Sequence, residues 1–134
     1  WGGNYFALPP TRCFIVWKKS QITERFTMAM CEYTWTSFND NAKVFECPSF
    51  GKGERFHPTQ KPVELYKWLL HNYAKKGDKI LDTHVGSASS LIACEDMCFQ
   101  YVGFEIDEEY YQKASARIEE FRQQIRMDFL RLLP

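Results

Sequence analysis

The sequence predicts an α/β domain built on a parallel sheet, and three observations predict it. Residues 79–126 read as strand, helix, strand, helix, the order of a right-handed crossover unit. The first of these strands runs into a glycine turn at Gly86, and the second ends beside an acid, Glu105. The closing helix lines up Tyr110, Ala114, Ile118, Phe121 and Ile125 on one face, the pattern of a helix laid against a core.

Each element has a local reason. Trp1-Gly-Gly-Asn4 is turn-prone, residues 5–8 lead into Pro9-Pro10, and Cys13-Phe-Ile-Val-Trp17 reads as a buried strand closed by Lys18-Lys19. Residues 32–38 and 43–45 are β-branched and aromatic, with Asn39-Asp40-Asn41 between them, which predicts a hairpin. Residues 50–57 mix glycine with charge and read as an exposed loop. Pro62 suits a helix start, and Tyr66, Leu69, Leu70 and Tyr73 recur at the spacing of a core-facing stripe that Gly77-Asp78 ends. Residues 79–82 form a short strand, 85–88 a tight turn and 89–97 a helix. Residues 101–106 form the next strand, and Asp107 is placed to cap the last helix.

A chain of 134 residues that is 45% hydrophobic and 16% aromatic is large enough to bury a core. Seventeen basic residues balance seventeen acidic ones, so a nucleic-acid partner would need a local patch or further parts to hold it. Cys13, Cys31, Cys47, Cys94 and Cys98 have no zinc-ligand spacing and read as buried, reduced thiols. His57, His71 and His84 lack close partners for a metal, so no metal site is expected. No leader or membrane-length apolar run is visible and the chain opens on Trp1, which is the expectation of a trimmed cytoplasmic protein with no membrane partner.

Ligands of parallel sheets bind beyond the carboxyl ends of the strands. Asp82 closes one strand there, and Gly86 with Ser87 makes a turn that lets a ligand approach the backbone. Glu105 occupies the position where a carboxylate accepts hydrogen bonds from both hydroxyls of a ribose, at the right separation from the glycine turn. A single glycine argues for an adenosine ligand rather than a dinucleotide, whose pyrophosphate loop needs three. On the local pattern alone, an ordinary turn glycine and ordinary strand-end acids account for these residues equally well. His57-Pro-Thr-Gln-Lys-Pro62 is a proline-bounded loop that could hold the Thr59 hydroxyl and the Lys61 ammonium against a carboxylate. A helix cap with an exposed lysine accounts for it too.

Taken together, His57-Pro-Thr-Gln-Lys-Pro62, Leu81-Asp-Thr-His-Val-Gly-Ser-Ala88 and Val102-Gly-Phe-Glu-Ile-Asp107 resemble the closing half of the permuted, beta-class DNA amino-methyltransferases. The resemblance is strong from Arg55 to about Phe121, and the segments at 8–18 and 34–38 are similar to that family's connecting strands, especially in phage-like members. It implies a three-layer Rossmann-like methyltransferase sheet and S-adenosyl-L-methionine as cofactor. Asp82, Thr83, His84, Val85, Gly86 and Ser87 would line the methionine part, and Glu105 would hold the ribose. Thr59, Gln60 and Lys61 would meet the carboxylate end, with His57 and Pro58 shaping that wall. The implied partner is DNA with its target base flipped out, adenine or less often cytosine.

Two departures from the family pattern matter, one in the cofactor turn and one in the catalytic motif. Thr83, His84 and Ala88 stand where proline, phenylalanine and glycine are usual, so His84 would stack as a flat ring or be merely solvated, and the Ala88 methyl would narrow the site. The family's catalytic acid or amide followed by Pro-Pro-aromatic is also absent, since the chain has only Leu8-Pro-Pro-Thr11. Residues 1–134 are therefore expected to be one partial domain, with 1–50 the strands after the missing motif and 55–126 the cofactor-binding part. The sheet would lack its central catalytic strand, which would open the edges of the strands at 13–17 and 79–82. Rearranged pairing, a homodimer or an N-terminal segment filling the gap, or marginal stability would follow. A cofactor-binding module without transferase activity, and a dinucleotide-binding or structural domain, are the competing readings. Lys18, Lys19, Lys52 and Arg55 are candidate phosphate contacts, though scattered surface lysines more often face solvent; Arg117, Arg122, Arg126 and Arg131 read as solubilising.

Overall fold

The computed structural model describes residues 1–49 and 55–132. Residues 50–54 of the expected exposed loop, and Lys52 with them, lie outside the described residues. The chain divides into two compact units, Trp1–Gly51 and Lys52–Pro134.

In the first unit a 3-10 turn, Gly3–Tyr5, precedes the strands β1 (Phe14–Lys19), β2 (Cys31–Trp35) and β3 (Lys43–Cys47). β1 lies in the middle, antiparallel to β2 and parallel to β3, with Val16 opposite Tyr33 on one side and Val44 on the other. The hairpin expected over 32–45 therefore does not form. Thr36, just past β2, donates to the Cys13 carbonyl at 2.5 Å and accepts at its own carbonyl from the Thr11 hydroxyl at 2.7 Å. These bonds tie the end of β2 to the start of β1, and residues 36–42 carry the chain to the other edge of β1. Asp40 pairs with Lys43 at 2.8 Å instead of closing a two-strand turn. Ile15 and Trp17 alternate into the core, and the Trp17 indole donates to the Cys47 carbonyl at 3.1 Å. Both edges of β1 are thus occupied, contrary to the open edge expected there.

The second unit runs α1 (Val63–Tyr73), β4 (Lys79–Asp82), α2 (Ser89–Asp96), β5 (Gln100–Gly103) and α3 (Glu108–Arg131). β4 and β5 are parallel, Lys79 opposite Gln100 and Asp82 opposite Gly103, as a crossover through α2 requires. The other edge of β4 has no strand neighbour among the described residues. Pro62 is the N-cap residue of α1, and Leu65 with Leu70 forms its buried face. The expected stripe included Leu70 and Tyr66, which pack in and against the core, but left out the fully buried Leu65. Leu70, Ala93 and Cys94 pack together with Ile80 and Tyr101, and Ala88, Leu91 and Ala114 form a neighbouring cluster.

β5 stops at Gly103, short of the expected Ile106. The Phe104 amide still donates to the Asp82 carbonyl, and its carbonyl accepts from the Val85 amide at 3.0 Å, so the ladder ends by holding the turn that follows β4. A Cβ on Gly103 would lie 2.6 Å from Val85 Cγ2 and 2.8 Å from Leu91 Cδ1, so glycine lets α2 close on the strand. Asp107 caps α3 as expected, its carboxylate accepting from the Tyr110 amide at 3.0 Å. Cys13 and Cys94 are buried, but Cys31 and Cys98 are exposed, which corrects the expectation of five buried thiols. No helix among the described residues is long and apolar enough to cross a membrane.

Candidate functional site

The site begins at the carboxyl ends of β4 and β5. Asp82 faces the loop after β4: one carboxylate oxygen accepts from the His84 amide at 2.9 Å, and the other from the Ser90 hydroxyl at the start of α2. That braces residues 82–90 from within. Gly86 has φ +55°, a left-handed conformation in which glycine is unstrained. The next residues coil straight into α2, and Gly86 to Ser90 are all buried.

Glu105 links this turn to the next element. Its carboxylate accepts from the Gly86 amide at 2.7 Å and from the Asp107 amide at 3.0 Å. The Asp107 amide, with those of Gly86 and Ile106 and the nearby His57, holds the Glu105 carboxyl below the usual glutamate range against a partial desolvation that opposes it. It is therefore ionised at neutral pH.

The proline-bounded loop converges on the same turn. A Cβ on Gly86 would meet the His57 ring at 3.2 Å, and the Tyr110 ring of α3 lies on that imidazole with centroids 4.4 Å apart. His57 Nδ1 lies 3.2 Å from the Thr59 hydroxyl and accepts from the Thr59 amide at 3.3 Å. The Gln60 amide donates to the His57 carbonyl, Arg55 donates to the His57 and Pro58 carbonyls, and Lys61 reaches the Thr59 carbonyl at 3.4 Å. His57, Thr59, Gly86 and Glu105 are thus one connected group, whereas Pro58, Gln60 and Lys61 make these contacts within their own loop.

Beside Glu105 opens a cleft of about 380 Å³ lined by Thr83, His84, Phe104, Glu105 and Ile106. His84 is exposed, its Nδ1 2.9 Å from the Thr83 hydroxyl. Val85 packs toward Ala88 and Leu91, and the buried Ser87 hydroxyl lies 3.2 Å from that of Ser89. Ala88 has φ +63° and is fully buried, so its methyl faces the core and does not narrow the cleft as expected.

Several residues here escaped sequence reasoning. Phe104 and Ile106 are 58% and fully exposed apolar neighbours of the acid, and an acid flanked by hydrophobics at a strand end was the available signal. Arg117 does more than solubilise: its guanidinium donates to the Ser87 carbonyl at 2.6 Å and the Ser89 hydroxyl at 3.0 Å, and burial lowers its pKa. Arg122 likewise binds Glu95 at 2.9 Å and the Tyr101 hydroxyl at 3.2 Å. Lys19, a candidate phosphate contact, is buried against Glu32 at 3.1 Å, while Lys18 pairs with Glu46 on the surface at 3.0 Å. Among the described residues no group of three or more His, Cys, Asp or Glu side chains is placed to hold a metal ion.

The DNA methylase family model matches residues 12–116. The chain belongs to this N6/N4 methyltransferase family. Among curated relatives, the type II methyltransferase M.HpaI of Haemophilus parainfluenzae is 34% identical over 68 residues, 51% of this chain and 22% of that protein. M2.DpnII of Streptococcus pneumoniae is 35% identical over 63 residues, 47% of this chain and 24% of that one. The matched stretch thus spans about a quarter of either relative. Among solved structures, M1.HpyAVI in complex with S-adenosyl-L-methionine matches 78% of this chain and 60% of its own, with a TM-score of 0.57 at 23% identity. TTHA0409 of Thermus thermophilus, also complexed with S-adenosyl-L-methionine, matches 81% and 52%, with a TM-score of 0.54 at 20% identity. The chain therefore has the mixed α/β fold of such methyltransferases, with one three-stranded and one two-stranded sheet among the described residues.

Proposed function

We propose that this methylase chain binds S-adenosyl-L-methionine at the cleft beside Glu105, as the cofactor part of an enzyme that methylates an exocyclic amino group in DNA. The observation that carries the reading is the convergence of three separate sequence motifs, at His57, Gly86 and Glu105, on one connected group. The residues suit that ligand. The ionised Glu105 carboxylate keeps acceptor capacity for ribose hydroxyls, Phe104 and Ile106 offer apolar surface to a purine, and the absence of a side chain at Gly86 lets the His57 ring close on the turn. The cleft volume lies within the range of small-molecule sites.

When bound, the cofactor supplies an electrophilic sulfonium methyl. In this reading Glu105 binds the ribose, and Thr83, His84, Val85, Gly86 and Ser87 line the methionine part over a turn that Asp82 braces. Thr59, Gln60 and Lys61 meet the carboxylate end, with His57 and Pro58 as its wall. The whole is one partial methyltransferase domain, in which residues 1–50 provide strands that follow the catalytic motif. Its target is a base flipped out of duplex DNA, adenine in preference to cytosine, and a preceding segment or a second copy supplies the strand beside β4.

Transfer by these 134 residues alone is not expected. A base amino nitrogen is a poor nucleophile until an Asp or Asn oxygen and a proline carbonyl accept its hydrogen bonds, and Leu8 and Thr11 flank Pro9-Pro10 instead. The Thr11 hydroxyl is moreover engaged with the Thr36 carbonyl at 2.7 Å. That observation favours a second reading, a cofactor-binding module without transferase activity. Calorimetric titration with S-adenosyl-L-methionine and with NAD tests the binding: heat with NAD alone, or with neither, refutes it. Methyl transfer to unmethylated DNA, with and without an upstream segment bearing Asp-Pro-Pro-Tyr, separates enzyme from module.

A further inference from the structure

We infer that Arg117 is a positioning residue that sets the shape of the cofactor turn from outside it. The turn is clamped at two points. At one end the Gly86 amide donates to Glu105 at 2.7 Å, and the Val85 amide is held by the Phe104 carbonyl at 3.0 Å. At the other, the Arg117 guanidinium reaches from α3 to the Ser87 carbonyl at 2.6 Å and the Ser89 hydroxyl at 3.0 Å. Both partners lie where the turn enters α2, and both are neutral.

Such a contact is electrostatically costly. Burial disfavours the cation enough to lower its pKa, and the positive end of a helix repels it. One guanidinium nitrogen, Nη1, nevertheless makes both bonds, each of its two N–H groups serving one oxygen. With the Ser87 carbonyl fixed, the following peptide plane is fixed too, and the Ala88 amide stays on the Val85 carbonyl at 3.0 Å. Removing Arg117 leaves the Glu105 clamp intact and frees only residues 87–89. The adenosine end of the cleft then keeps its geometry while the methionine end loses it.

This inference rests on the proposed cofactor reading, and the test keeps the two apart. The full chain and its Arg117→Ala, Arg117→Gln and Arg117→Lys variants are titrated with S-adenosyl-L-methionine and with 5′-methylthioadenosine, which carries the adenosine but no amino-acid moiety. Melting curves are recorded alongside. Arg117→Ala is expected to weaken S-adenosyl-L-methionine about tenfold and methylthioadenosine no more than about twofold, the loss of a charge-assisted pair acting on one end of the ligand. Arg117→Lys, whose ammonium also carries more than one N–H on a single nitrogen but ends a differently shaped side chain, recovers part of the difference. If Arg117→Ala does not fold, the Gln and Lys variants carry the comparison. Equal losses for both ligands, or no loss, overturn the positioning role. Failure of the unsubstituted chain to bind either ligand overturns the cofactor reading itself, and this inference with it.

Discussion

Gly86→Ala tests the heart of the site, and Gly77→Ala is its built-in control. Both glycines have positive φ, +55° and +93°, so alanine strains the backbone at either, by about 1–2 kcal/mol before a smaller offset of roughly 0.4–1 kcal/mol from the stiffer unfolded chain. Their surroundings differ. A Cβ at Gly77 would meet nothing within 4 Å, whereas one at Gly86 would press on three atoms of the His57 ring at 3.2–3.4 Å. That ring cannot easily retreat, because the Tyr110 ring packs against it at a tilt of 60° and the Thr59 amide bonds its Nδ1. A tight contact of this kind adds about 1 kcal/mol, so Gly86→Ala should cost more than Gly77→Ala although its φ is the milder of the two. Urea unfolding of both variants measures the difference. Calorimetry should show weaker cofactor binding, by about tenfold, for Gly86→Ala alone, since only there does the His57 to Thr59 wall move. Adding His57→Ala should recover the excess cost in a double-mutant cycle. If the two glycine variants are equally destabilised and bind alike, the loop does not lie on the turn and the site as built here is wrong.

The other consequences are simpler to check. Cys31 and Cys98 should react with a thiol reagent in the folded protein, while the buried Cys13 and Cys94 should stay silent until denaturant is added; burial, aided by Asp82 and Glu95, pushes the Cys94 thiol up to about 11. Lys18→Ala should change stability by less than about 0.5 kcal/mol because its pair with Glu46 is half exposed, whereas Lys19→Ala should cost about 2 kcal/mol or more by removing the buried cation beside Glu32, and equal effects in urea unfolding would refute the contrast. Glu105 has a folded pKa below its ordinary 4.5, so the stability it contributes is complete above that value and is lost as pH falls through the lower folded one; Glu105→Gln should flatten that acid limb, and an unchanged acid transition would contradict the assignment.

The second unit was legible because its elements are encoded locally. Asp82, Gly86, Asp107 and the apolar spacing of α3 each act within a few residues of themselves, and β4, α2 and the start of α3 lie where those signals put them. The first unit was not, because β2 and β3 choose their partners through distant groups. Two threonine hydrogen bonds across residues 11–36 decide that β3 crosses to the far edge of β1, and nothing in Asn39-Asp40-Asn41 announces that choice. The same holds at the site. Glycine and acid marked the turn, but Tyr110 on His57 and Arg117 on Ser87 depend on how α3 packs, and a stripe pattern treats an arginine on that helix as surface.

Ala88 shows how such packing can stand in for a local preference. The family pattern has glycine there, and the reason is visible: φ is +63°, where an L-residue is strained by about 1–2 kcal/mol. The side chain is nevertheless fully buried among Leu91 and Ala114, with Val85 and Ile118 beside it. Burying that methyl returns about 0.8 kcal/mol, and alanine loses less backbone entropy than glycine on folding by about 0.5–1 kcal/mol. The opposing terms cancel to within their size. Alanine is therefore tolerable at this position because the Cβ points into the core and away from the cleft, and the departure alters the packing under the turn while the contact of Gly86 with the His57 ring is untouched.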